Sequence, residues 1–119
     1  MSGMTRTVIV TVMGLAGMVA LAGTARAADG AAVWEKNCAS CHGKEAKGDT
    51  KAGQLLKVRD LTAADVRSTL NRDKVKQTIE QGVNDKDTGK VRMKSYKDKF
   101  SAEELDALVT HVLSLVGAK

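Results

Sequence analysis

The chain holds two cysteines, three positions apart, and a histidine follows the second: Cys38-Ala39-Ser40-Cys41-His42. No further cysteine is present to pair with either thiol. Two thiols at this spacing can add across the two vinyl groups of one porphyrin, and the adjoining imidazole then reaches the iron from one face. The motif therefore reads as a covalent attachment site for one c-type haem, with thioethers from Cys38 and Cys41 and His42 as an iron ligand. A thioredoxin-like dithiol and half of a zinc site share the spacing. A dithiol has no need of the histidine, and zinc needs more ligands where the chain offers just His111 beyond the motif.

The residues before the motif read as an export signal. Arg6 supplies a positive start, residues 8–25 run 18 positions without a charge, and Ala25-Arg26-Ala27 is a small-x-small cleavage pattern. An uncleaved anchor is the rival reading, because 18 apolar-biased residues approach the length of a membrane span. Thr11, Thr24 and interspersed glycines dilute that stretch. The expectation is a signal peptide over residues 1–27 and one mature domain over residues 28–119. That domain is expected in the periplasm, or membrane-associated if the leader is retained.

Composition limits the partners. Arg6 and Arg26 leave with the leader, so 17 basic residues face 14 acidic ones, a net +3. Two haem propionates would bring the loaded protein close to neutral, which argues against nucleic acid. Lys36, Lys44, Lys47, Lys51, Lys94, Lys97 and Lys99 read either as a basic patch around a haem edge or as ordinary solubilising surface. Trp34, Tyr96 and Phe100 are the aromatic residues. So small a domain builds a meagre core from its own side chains, and a buried porphyrin would supply apolar volume.

The pattern beyond the motif is helical. Asp29 is an N-cap for a helix to about Cys38, with Gly30, Ala31, Trp34 and Cys38 on one face. Residues 44–54 read as loop, and one of their carbonyls is expected to accept from His42 Nδ1–H and turn Nε2 toward iron. Leu55 or Leu56 is expected to pack on the haem. Thr62 is read as the cap of a short helix to about Leu70, and Asn71 as the cap of the next, which presents Leu70, Val75 and Ile79 and ends at Gly82. Residues 83–96 show no sustained period and read as a long loop. Ser101-Ala102-Glu103-Glu104 is a capping box, opening a helix to Val116 with Leu105, Leu108, Val109, Val112 and Val116 on one stripe.

Met93 lies in that long loop and is the sole methionine beyond the leader, which holds Met1, Met4, Met13 and Met18. A thioether on iron opposite an imidazole favours the ferrous state, so Met93 is the candidate second ligand. His111, inside the last helix, reads as a packing or surface histidine. An open distal site is the alternative; it would make a ligand-binding or peroxidatic haem protein.

Taken in order, Trp34, Cys38-Ala39-Ser40-Cys41-His42-Gly43, Gly82-Val83, Met93-Lys94-Ser95-Tyr96 and the closing apolar helix resemble class I c-type cytochromes, small monohaem cytochromes c. The resemblance covers the mature chain. It implies an all-α, cytochrome c-like domain whose terminal helices pack together, with Gly30, Trp34 and the Leu108–Val109 region at their crossing. It implies His42 and Met93 as axial iron ligands and Tyr96 near a propionate or the haem edge; Trp34, Leu56 and Ile79 are read from their own positions as haem packing. The family commonly carries proline beside the ligand methionine, where this chain has Lys94. It often carries a large aromatic residue where this chain has His111. The function implied is one-electron transfer between redox proteins through transient contacts, by a monomer and without catalysis. An electron-entry subunit docked to an oxidoreductase is the alternative.

Overall fold

The computed structural model describes residues 28–118, together with Gly14 and Gly17. The signal-peptide reading falls outside the described residues.

Asp29 starts the first helix, α1 (Gly30–Asn37), by accepting hydrogen bonds from the Ala31 and Ala32 amides. Gly30, Trp34 and Cys38 form its buried face, while Ala31 is exposed, one position off the face expected for it. The attachment motif is helical: Ala39–His42 makes a single turn, α2, continuing from Cys38. Residues 44–54 likewise contain a turn of helix that the sequence concealed. Thr50 accepts from the Gly53 amide and caps α3 (Lys51–Leu55). Two glycines nearby and a length of five residues left no periodicity to read.

The next short helix, α4 (Ala64–Arg67), begins later and ends earlier than expected. Thr62 does not cap it, because its hydroxyl and amide both donate to Asp60 Oδ1, at 2.6 and 2.8 Å. Asn71 does cap α5 (Arg72–Gln81), accepting from the Lys74 amide at 2.8 Å, and Val75 and Ile79 are its buried residues. The long loop is instead a β-hairpin. Strands β1 (Val83–Asn84) and β2 (Val91–Met93) pair antiparallel, Val83 opposite Met93, with an irregularity at Val83/Asn84. Last comes α6 (Ala102–Val116), with both halves of the Ser101/Glu104 capping box formed and all five stripe residues buried.

The two terminal helices cross at Gly30. A Cβ there would collide with the Ala107 carbonyl and come within 3.0 Å of His111 Cβ, so glycine permits backbone contact at the crossing. Trp34 packs 6.2 Å from the His111 ring, which gives that histidine the packing role expected of it. Arg72 ties α5 to α6 through Asp106 at 2.8 Å and Thr110 at 2.6 Å. Leu108, Val109 and Val116 are the most deeply buried large side chains, so α6 is the floor on which the rest is assembled. The helical class and the pairing of terminal helices agree with the sequence reading; the hairpin is an addition to it.

Candidate functional site

One cavity of about 560 Å³ lies between α2, the end of α3, α5 and the hairpin. Its wall is mainly apolar, and it gathers all eight residues expected around a haem: Trp34, Cys38, Cys41, His42, Leu56, Ile79, Met93 and Tyr96. Trp34 and the Cys38–His42 motif, Leu56, Ile79, and Met93 with Tyr96 are distant from one another in sequence and come together at this cavity. Leu55 is 78% exposed and absent from the wall, so Leu56 is the member of that pair which faces inward. Val58, Leu61, Leu70, Val75 and Val112 add apolar surface. Arg59 and Arg92, which the sequence did not single out, also line the cavity; nothing in their local pattern distinguished them from surface charge. Of the seven lysines named above, Lys94 reaches the wall, while Lys44 and Lys47 make exposed ion pairs with Glu35 and Glu45.

The proximal side is built by backbone contacts. Trp34 Nε1 donates to the Gly43 carbonyl at 3.2 Å, and the indole lies 5.5 Å from the His42 ring. Thr50 donates to the Cys41 carbonyl at 3.0 Å, and the Gly48 amide to that of His42 at 2.7 Å. Gly53 packs so close to the Cys41 carbonyl that a Cβ would strike it. The attachment turn is thus fixed from α1 on one side and α3 on the other.

The hydrogen bond expected from His42 Nδ1 to a carbonyl of residues 44–54 is not made. Nδ1 is buried without a partner. The carbonyls nearby are engaged elsewhere: Gly43 by Trp34 and Ala46, Ala46 by Leu61, Gly53 by Val58. Burial holds the imidazole pKa below its usual value, favouring the neutral, ligating ring. Nδ1 thus lacks the carbonyl acceptor that would fix the tautomer presenting Nε2 to iron.

The Cys38 thiol is pushed up to about 11, first by burial and then by Cys41, against a smaller opposing effect of Lys99. A redox dithiol or a zinc ligand needs a thiolate at neutral pH. A thiol this hard to ionise disfavours a redox dithiol, and among the described residues no group of three or more His, Cys, Asp or Glu side chains is placed to hold zinc. Paired thiols, a neutral imidazole, a thioether and apolar walls therefore fit a covalently held haem.

Met93 is held at the rim of α5. Its strand pairs with β1, the Tyr96 amide donates to the Ile79 carbonyl at 3.0 Å, and the Ser95 hydroxyl donates to that of Glu80. Tyr96 is buried; its hydroxyl donates to the Asn37 carbonyl at 3.2 Å, and its ring stacks on Phe100 at 5.5 Å with Lys94 above it. Burial raises the phenol pKa, with Cys38 and Cys41 adding to the effect. It stays a neutral donor.

Comparison with known proteins agrees with this geometry. The family model described as cytochrome c oxidase, cbb3-type, subunit III matches residues 25–112. The solved structure of the KustC0563 c-type cytochrome is similar at 25% identity, covering 76% of this chain and 98% of that one, with a TM-score of 0.58. A tyrosine-to-phenylalanine mutant of the same cytochrome is similar at 25% identity over 76% and 99% of the two chains, with a TM-score of 0.60. No curated protein matches the chain. With the match spanning the attachment turn, the hairpin and most of α6, the chain belongs to the cytochrome c oxidase cbb3-type subunit III family of c-type cytochrome domains.

Proposed function

We propose that this protein is a periplasmic one-electron carrier with one haem c, attached through Cys38 and Cys41 and ligated by His42 and Met93. A c-type cytochrome domain implies haem-based electron transfer. The observation that supports the finer reading is the convergence of both thiols and His42, from the α2 turn and its cap, with Met93, from β2, on one apolar cavity. The iron of a haem held there supplies the redox change. The chain's part would be to offer the iron a neutral imidazole from His42 and a thioether from Met93, and to exclude water with Trp34, Leu56 and Ile79. A small reorganisation on electron exchange follows from donors fixed in place. Among the described residues, the cavity wall carries no carboxylate and no histidine besides His42, so it offers little for acid–base chemistry.

Electronic spectra test this directly. The oxidised holoprotein is expected to show the weak far-red band of thioether-ligated ferric haem, and Met93→Ala to abolish it. A wild type without the band would mean that Met93 is not on the iron. Intact mass should give one haem on a chain beginning at Ala28.

A second reading is an electron-entry subunit of an oxidoreductase. It is favoured by the family description, which names an oxidase subunit, and by apolar side chains at the cavity rim, Val83 38% and Val91 63% exposed. Co-purification with an oxidoreductase from native membranes through a salt wash would favour it over the free carrier.

A further inference from the structure

Arg92 precedes Met93 and makes three hydrogen bonds to one short stretch of backbone. Its Nε and Nη2 donate to the Leu56 carbonyl at 3.1 and 2.9 Å, and Nη2 donates to that of Lys57 at 2.6 Å. Those carbonyls belong to the turn that ends α3. Lys57 adopts φ 55°, a left-handed conformation that favours glycine. Its amide donates to the Gln54 carbonyl at 3.2 Å, and the Val58 amide donates to that of Gly53 at 2.8 Å. This is a Schellman termination with lysine at the glycine position, and it leaves the last carbonyls free to accept a cation's donors. Leu56, Lys57, Val58, Arg92 and Met93 all line the cavity. The guanidinium therefore joins the strand bearing Met93 to the α3 wall, while Gly82 and α5 hold the same strand from its other end.

We propose that Arg92 is a positioning residue for the iron site: its three bonds to Leu56 and Lys57 clasp β2 to α3 and hold the Met93 thioether in place against competing ligands. This rests on Met93 being an iron ligand. The need for a clasp is local. β2 has three residues, Val91 is 63% exposed, and the chain contains no proline to stiffen the strand. An arginine fork supplies direction as well as charge, which a lysine at the same position does not.

The test is the rate at which ferric holoprotein binds cyanide, in wild type, Arg92→Ala and Arg92→Lys, with the far-red band and the denaturant midpoint followed alongside. Loss of charge-assisted bonds at a half-buried site is expected to speed cyanide binding about tenfold in Arg92→Ala. Removing a cation does not by itself speed the approach of cyanide, whether as neutral HCN or as the anion, so acceleration distinguishes the clasp from a charge effect. Arg92→Lys, which keeps the charge and loses the fork, should stay nearer Arg92→Ala than wild type. An unchanged or slower rate in Arg92→Ala overturns the clasp, as does full rescue by Arg92→Lys. If wild type shows the far-red band and Met93→Ala lacks it, such a result condemns the clasp alone. If wild type lacks the band, the His–Met reading fails first and the clasp goes with it.

Discussion

The α5–β1 junction turns at Gly82, with φ 74° and ψ −172°, a combination that side-chain-bearing residues scarcely visit. The absent side chain also makes room. A Cβ at this position would lie 2.5 Å from the Met93 carbonyl oxygen and 2.8 Å from the Ser95 amide nitrogen. Gly82 was legible in the sequence as a helix terminator, but its second task was not, since the segment it abuts lies eleven residues on. Gly82→Ala combines backbone strain with a steric clash, each costing about 1–3 kcal/mol. It should lower the denaturant midpoint and weaken the far-red band together. A variant as stable as wild type with the band intact would show that the junction yields without moving Met93.

At the scale of elements, the sequence disclosed what capping chemistry and a 3.6-residue period can encode. Asp29, Asn71 and Ser101 each cap the helix they were assigned, and the α6 stripe is buried throughout. Thr62 lies one residue ahead of the Ala63 cap of α4, and its amide and hydroxyl are turned back to donate to Asp60 instead. The hairpin escaped notice because strands of two and three residues are too short to show alternation. Its signal lay in the turn. Asp85 Oδ1 accepts from the Asp87 amide at 3.0 Å, the Thr88 amide at 2.9 Å and the Thr88 hydroxyl at 3.0 Å, and Gly89 follows at φ 70°. These bonds, the Thr88 amide's first, hold the Asp85 pKa below its ordinary value. A depressed folded pKa means that the carboxylate's support of the turn is complete above the unfolded value of about 3.9 and is lost as pH falls through the folded one. In an NMR titration of the reduced protein, the Thr88 amide should therefore shift with a midpoint below that of a free aspartyl peptide. A midpoint at or above the peptide value would mean that the turn does not depend on the charge.

For the whole molecule, the same small core that pointed to a large cofactor sets the terms of folding. The buried apolar side chains cluster on α6 and its contacts with α1 and α5, while α2, α3 and the hairpin meet chiefly around the cavity. A chain denied haem would have to keep about 560 Å³ of apolar-walled space open or collapse into it. Left open, that space would expose the apolar side chains of its wall to water, which such a wall has few polar groups to bind. Collapse would instead break the contacts of Gly82 and Gly53 that shape the two sides of the site. Either way the walls are not expected to hold without their occupant. The Cys38→Ala/Cys41→Ala chain, exported but unable to attach haem, should therefore show little helical circular dichroism and no cooperative thermal transition. Residual structure should be confined to α6, whose capping box and continuous stripe are local. A sharp transition with helix content equal to the holoprotein would show that the terminal helices and α5 make a self-sufficient core, and that the cavity is a preformed receptacle instead of a space that the haem completes.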